Sequence, residues 1–258
     1  MAKLVFLGTG AALPARDRAN TALAITGADP SSSGGLLIDC GGDIYSALLR
    51  ADIGPDALSD LFITHAHIDH IGALPSLIES LRLGGRTVPL RIWALPPVLE
   101  VARRLVGVFD FELTLKSWSF AVTFAPVEDG QELTLAGIEA RVATMDHSIP
   151  SAGLRLRLPG GDVTYTSDTQ PAASIRALGQ GTRMLITECT YPRAWEAGAR
   201  MSKHMTAPET GKEAANCGAQ TLALVHRGPW PDEEIWAEVA EHFAGTILLP
   251  KDGDAIEV

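Results

Sequence analysis

Three histidines and an aspartate fall within six residues, His65, His67, Asp69 and His70, directly behind the apolar run Leu61-Phe62-Ile63. A run of that kind reads as a buried strand, and a Gly-containing helix is expected from Ile71, so the cluster sits at a strand's carboxyl end. In α/β sheets that edge is where sites are built. Alternate residues of an extended segment point the same way, which sets His65 and His67 on one side. Asp69 and His70 come after the chain begins to turn and face a second, neighbouring position. Imidazole and carboxylate together suit a borderline cation such as zinc.

Around this cluster short strands alternate with helices. Apolar runs at residues 4–7, 21–25, 36–38, 61–63, 90–93, 185–186 and 222–225 are broken by Gly, Pro or Asp and read as buried strands. Helical periodicity is clearest at 44–49, 77–81, 98–106 and 235–243. Thr206-Ala207-Pro208-Glu209 has the form of a capping box with proline early in the first turn, starting a helix that runs to about Cys217. Residues 120–157 read as β-hairpins, with alternation as in Glu139-Ala140-Arg141-Val142-Ala143. This order predicts two sheets packed together with helices outside, an α/β four-layer αβ/βα sandwich. At 258 residues without a repeat or long linker, a single domain over 1–258 is expected. Ser31-Ser32-Ser33-Gly34-Gly35 fits a turn between strands.

Hydrophobic residues at 46% against 20% charged residues make the chain globular rather than disordered. The apolar start Leu4-Val5-Phe6-Leu7 is too short for a signal-peptide core, and no stretch approaches the roughly 20 apolar residues that span a bilayer. Cys40, Cys189 and Cys217 are few, odd in number and without structural-zinc spacing. They point to buried thiols in a reducing compartment and a cytoplasmic location. The net charge of −10 is uneven: from Pro231 onward eight acids face one base, Lys251, which puts −7 there. That reads as a solvated tail with little bearing on the site. It leaves no global basic footprint of the kind nucleic-acid binders show.

His-x-His-x-Asp-His after a strand is the signature of the metallo-β-lactamase fold, and the chain resembles its ribonuclease Z branch in particular. Leu7-Gly8-Thr9-Gly10-Ala11 with Arg18 is similar to that branch's N-terminal loop, and Leu37-Ile38-Asp39-Cys40-Gly41 to its Asp-Cys-Gly turn. Phe62-Ile63-Thr64-His65 running on to Gly72-Ala73-Leu74-Pro75 is similar throughout. The resemblance covers most of the chain and is weak in its middle. It implies three further ligands: His147 in Met145-Asp146-His147-Ser148, Asp168 in Ser167-Asp168-Thr169, and His226 after Leu222-Ala223-Leu224-Val225. The implied arrangement holds two divalent metal ions, zinc first with Mn2+ or Fe2+ as alternatives. His65, His67 and His147 take one ion, Asp69, His70 and His226 the other, and Asp168 bridges both. Glu188 and His204 are implied as a pair that handles a proton beside the metals, and with Asp69 they are the expected catalytic residues. Asp39 is expected to accept from a ligand imidazole's second nitrogen. His242 reads as structural or exposed.

A bridged two-metal site lowers the pKa of its water, polarises a phosphoryl oxygen and stabilises entering and leaving oxygens. The fold also hosts β-lactam, lactone and thioester hydrolysis, so fold alone does not choose the chemistry. The implied Glu188–His204 pair matches the phosphodiesterase branch, where a hydroxide bridging the metals attacks phosphorus and the histidine protonates the leaving oxygen. Transfer-RNA processing members carry a basic arm between the positions matching His147 and Asp168; here twenty residues separate them, room for a hairpin. A small-phosphodiester hydrolase is therefore the first expectation, with RNA disfavoured as a partner and no membrane partner. A tRNA 3′-processing endonuclease comes second and a lactone or thioester hydrolase third. The complete ligand set argues against a non-enzymatic scaffold. Trp118, Trp195 and Trp230 suit a pocket rim or a homodimer interface, with core packing the default for each.

Overall fold

The computed structural model describes residues 2–13, 15–28, 34–109 and 120–258. Its first sheet holds β1 (Lys3–Gly8), β2 (Ala22–Thr26), β3 (Gly35–Ile38), β4 (Leu58–Phe62), β5 (Leu90–Ala94), β6 (Val122–Pro126) and β14 (Ala255–Glu257), in the order β14-β1-β2-β3-β4-β5-β6. The second holds β7 (Glu132–Leu135), β8 (Ile138–Met145), β9 (Ser151–Arg157), β10 (Val163–Tyr165), β11 (Met184–Glu188), β12 (Thr221–Val225) and β13 (Thr246–Leu248), in the order β13-β12-β11-β10-β9-β8-β7. In each sheet four neighbouring strands run parallel: β3 to β6 in one, β10 to β13 in the other.

Parallel neighbours need crossover connections, and helices fill most of them. In the first sheet these are α1 (Ile44–Arg50), then α2 (Ile68–Ile71) with α3 (Leu74–Leu83), and α4 (Pro96–Gly107). In the second they are α5 (Ala173–Gly179), then α6 (Glu196–Ser202) with α7 (Ala207–Cys217), and α8 (Asp232–Ala240).

Strand alternation divides the apolar side chains between two interfaces. Ile186, Ala223 and Val225 face the first sheet and join Leu4, Phe6, Leu36 and Phe62 in the inner core. Their neighbours Leu185, Leu222 and Leu224 point the other way, onto Ile175, Leu178, Ile235 and Val239 of the covering helices. Strands buried on both faces read as continuous apolar runs for this reason. Each such valine, leucine, isoleucine or phenylalanine contributes about 1.5–3 kcal/mol when fully buried. The architecture is the four-layer α/β sandwich.

Two local readings need correction. Residues 122–126 are not part of a hairpin: β6 pairs in parallel with β5, Leu90 opposite Val122, and the hairpins begin only at β7. Its alternation is the same in either role, and only the partner strand distinguishes them. The last helix starts earlier and ends earlier than its periodicity, at Asp232 and Ala240. The capping box forms: Glu209 accepts from the Thr206 N–H at 3.0 Å. Trp118 and residues 31–33 lie outside the described residues. The three cysteines are buried and unbridged, and burial pushes their thiols up, Cys217 to about 11, so none is a nucleophile at neutral pH. Among the described residues no helix is long and apolar enough to cross a membrane.

Asp60, fully buried on β4, ties the two sheets together. Its carboxylate accepts from Trp93 Nε1 at 2.7 Å and Arg91 Nε at 2.9 Å within the first sheet. It also accepts from the backbone N–H of Ala136, in the turn between β7 and β8, at 2.9 Å. Asp60→Ala leaves an indole and a backbone donor buried without an acceptor. The expected loss is about 2–4 kcal/mol, read as a lower urea midpoint; an unchanged midpoint would show that this tie is not needed.

Candidate metal centre

Six strands end at one edge of the sandwich, and each delivers a polar group there. β3 leads into Asp39, β4 into Thr64 and His65, β8 into His147, β10 into Ser167 and Asp168, and β12 into His226, while β11 ends on Glu188. Three of these residues leave their strands in the left-handed region: Asp39 (φ 64°), Ser167 (φ 61°) and His226 (φ 50°). Such backbone costs of the order of 1–3 kcal/mol at a non-glycine residue and persists only where surrounding contacts over-determine it. Gly41 shows how tightly they do. A Cβ there would stand 1.7 Å from the Asp69 carbonyl oxygen, so only glycine lets the Asp39–Gly42 turn lie against the histidine motif.

Among the described residues, histidines and carboxylates gather into three sets; two share Asp168, with His65, His67 and His147 in one and Asp69, His70 and His226 in the other, and the third joins Glu188, His204 and His226. In the first, His67 Nδ1 lies 3.1 Å from both His65 Nε2 and His147 Nε2, and His65 Nε2 lies 3.6 Å from Asp168 Oδ2. In the second, His226 Nε2 is 3.2 Å from Asp69 Oδ2 and from Asp168 Oδ2, and His70 Nε2 is 3.4 Å from both. Four donors at zinc–nitrogen bond length around a tetrahedral ion stand about 3.3 Å apart, so both sets fit such an ion. Two buried atoms are orphaned inside the cluster, His70 Nε2 and Asp168 Oδ1, which have no hydrogen-bond partner. Buried polar atoms are rarely left so, and a cation would satisfy both.

Protonation follows the same division. Burial, aided by neighbouring imidazoles, holds His65 well below its ordinary value and lowers His67 and His147 as well. These rings are neutral, the form that offers a lone pair. Burial opposes charge on Asp168 and Asp69, but the surrounding histidines hold both carboxyls well below the usual range. Burial likewise opposes a proton on His70, yet Asp168 and Asp39 raise it well above its ordinary value. Three carboxylates around one buried imidazole make a place for positive charge.

Outer contacts fix each ring. Asp39 Oδ2 takes His70 Nδ1 at 2.8 Å, and Asp39 also accepts from the Thr64 N–H and hydroxyl. The carbonyl of Lys203 lies 3.0 Å from His147 Nδ1. Thr190 Oγ1 lies 2.9 Å from His226 Nδ1 and donates to Glu188 Oε2 at 2.8 Å. Glu188 is almost fully buried and holds His204 Nδ1 on Oε1 at 2.8 Å, with the Met205 and Thr169 N–H groups completing its acceptors. Burial opposes a charged His204, but Glu188 raises it to about 9. The His204 ring stacks on His226 at 5.1 Å and meets His147 edge-on at 4.9 Å.

Thr64, Thr190 and the Lys203 carbonyl escaped the sequence reading. Hydroxyl residues are too common to signal a role, and a carbonyl carries no side-chain signature. Of the tryptophans, Trp195 is half exposed and packs at 5.1 Å on Trp230, whose indole donates to the Thr190 carbonyl. His242 lies just past α8, partly buried.

The chain is similar to known proteins along nearly its whole length. The chain is 28% identical to a protein named Ribonuclease Z from Halorubrum lacusprofundi, over 99% of this chain and 97% of that one. The crystal structure of the metallo-β-lactamase fold protein YhfI from Bacillus subtilis superposes with a TM-score of 0.84 at 21% identity, over 99% of this chain and 98% of that one. A structure described as a new diphosphatase from the PhnP family superposes at 0.73 and 20% identity, over 100% and 98%. The family model described as Anti-Pycsar protein Apyc1 matches residues 2–215, and the chain belongs to that family.

Proposed function

We propose that this metallo-hydrolase of the metallo-β-lactamase fold is a phosphodiesterase acting on small phosphodiesters, and that it holds two divalent metal ions, zinc first. The observation that carries the reading is the pair of donor sets sharing Asp168, with His204 held against both by Glu188. Bound there, two ions polarise a phosphoryl oxygen and activate water at neutral pH. The chain's own residues do the rest. His65, His67 and His147 would hold one ion and Asp69, His70 and His226 the other, with Asp168 common to the two sets. Asp39, Thr190 and the Lys203 carbonyl keep the outer nitrogen of their rings occupied, so Nε2 of His70, His226 and His147 faces inward. His204 commits Nδ1 to Glu188, which leaves Nε2 to give a proton to the departing oxygen.

Two observations favour a small substrate. The connection between His147 and Asp168 consists of β9, a turn and β10, with the turn closed by the Gly161 N–H on the Leu158 carbonyl. The alignment with the Halorubrum protein extends over 310 positions against 258 residues here, so that relative carries segments this chain lacks. Secondly, four arginines scattered along the second half of the chain are already paired: Arg155 with Asp162, Arg157 with Glu139, Arg193 with Glu241 and Arg200 with Glu196. A transfer RNA is held largely through phosphates, which need cations not already engaged. The second reading, 3′-processing of tRNA, is favoured by the relatives' name, Ribonuclease Z.

Three outcomes test the proposal. Elemental analysis of the purified protein should give about two metal ions per chain, and Asp168→Ala should deplete both; one tightly held ion, unaffected by the substitution, would sink the dinuclear centre. His204→Ala should keep its metal while turnover falls roughly 10²–10⁴-fold, with a smaller loss on nitrophenyl esters, whose leaving group needs little protonation. An equal loss on every leaving group would assign His204 to binding instead. On one metal-loaded preparation at low salt, small phosphodiesters, cyclic nucleotides among them, should be hydrolysed with a far higher kcat/KM than pre-tRNA. Efficient, position-specific removal of a tRNA 3′ trailer would make the second reading correct.

A further inference from the structure

His226 stands in left-handed backbone at the end of β12, and what holds it there comes from the two ends of the chain. Its N–H donates to Thr21 Oγ1 at 3.0 Å, and Thr21 Oγ1 donates to the Gly10 carbonyl at 2.9 Å. The next residue, Arg227, is locked on both sides of its backbone: its N–H to the Thr9 carbonyl and its carbonyl to the Ala11 N–H, each at 3.1 Å. The N-terminal loop thus grips the peptide units around His226. Two acids of the C-terminal segment close that loop. Asp252 accepts from Thr9 Oγ1 at 2.9 Å and from the Ala19 N–H at 2.6 Å. Asp232, at the start of α8, receives Arg227 Nη1 at 2.6 Å and Arg18 Nη1 at 2.8 Å on the same oxygen. Arg227 is buried to 98% of its surface, and its remaining donor contact is to the Pro250 carbonyl. The Nε atoms of Arg18 and Arg227 are buried without partners. Among the described residues Asp232 is the carboxylate in ion-pair contact with both guanidinium groups, and the charge of Asp252 acts on Arg227 from further off.

We infer that Asp232, through the Arg18–Asp232–Arg227 bridge, is a positioning residue that sets His226 and so governs how firmly the Asp69–His70–His226 position holds its ion. The inference rests on the two-metal reading above. Without the carboxylate, two like charges face each other across the bridge with one guanidinium fully buried, a state relieved by movement of Arg227. Arg227 is bonded directly to His226, whose left-handed backbone persists only while its surroundings hold it there. Substitutions of groups that orient a metal ligand typically cost 10–100-fold in affinity. The acidic C-terminal segment, read from sequence as a solvated tail, acts here on the site.

The test is ion release from zinc-loaded, full-length protein into a chromophoric chelator, which resolves two ions as two phases. Asp232→Asn keeps shape and a hydrogen-bond acceptor but removes the charge. It should accelerate one phase about 10–100-fold and leave the other unchanged, and Asp232→Glu should restore the slow rate. Arg18→Met removes the competing cation and serves as a second variant; it should accelerate release less than Asp232→Asn does. Two unchanged phases, or two phases accelerated equally as a general loosening would give, overturn the positioning role. A wild-type protein that releases a single ion overturns instead the two-metal reading beneath it.

Discussion

A buried carboxylate flanked by three imidazoles is the constraint around which this edge of the molecule is organised. Asp168 is nearly inaccessible, and one of its oxygens has no partner at all. In isolation such a group would be protonated or expelled, because burying an ionised carboxylate without compensation costs far more than a single fold can supply. It remains charged only because His65, His70 and His226 surround it, and their rings stay in place only because Thr64, Asp39 and Thr190 hold them. The left-handed backbone at Ser167 and His226 belongs to the same bargain: strain accepted at strand ends so that side chains from both sheets converge.

The two sheets matter for that convergence more than either does alone. β3 and β4 bring Asp39 and the histidine motif from one sheet, while β8, β10, β11 and β12 bring His147, Asp168, Glu188 and His226 from the other. A rigid inner core between them fixes their separation, since close-packed interiors transmit displacement instead of absorbing it. Asp60 extends this coupling to the middle of β4, from which it reaches across to Ala136. The distances of 3.1–3.6 Å between donor atoms are thus a property of the sandwich and not of any one loop.

Charge away from the centre is used internally. Arginines that would suit phosphate contacts are spent on neighbouring acids, and the acids clustered after Pro231 include two that fasten the N-terminal loop. The chain carries −10 overall, and several of its arginines are answered by acids close at hand.

How much of this was legible beforehand divides along a physical line. The sequence by itself determined the strands buried on both faces, the capped helix at Thr206 and the compact motif from His65 to His70, because each is local. Periodicity, a capping pair and a strand-end turn are set by residues within one or two turns of each other. His147, Asp168 and His226 could be named only through a family resemblance, since nothing near them marks a ligand; their meeting is made by β-strand pairings that link distant parts of the chain. Tertiary structure alone decided the pairing of β6 with β5, the roles of Thr64 and Thr190, and the attachment of Asp232 to Arg18 across 214 residues of chain. A hydroxyl or a carboxylate reads identically in sequence whether it faces water or a ligand histidine. Only the fold settles which, by deciding what lies within 3 Å of it.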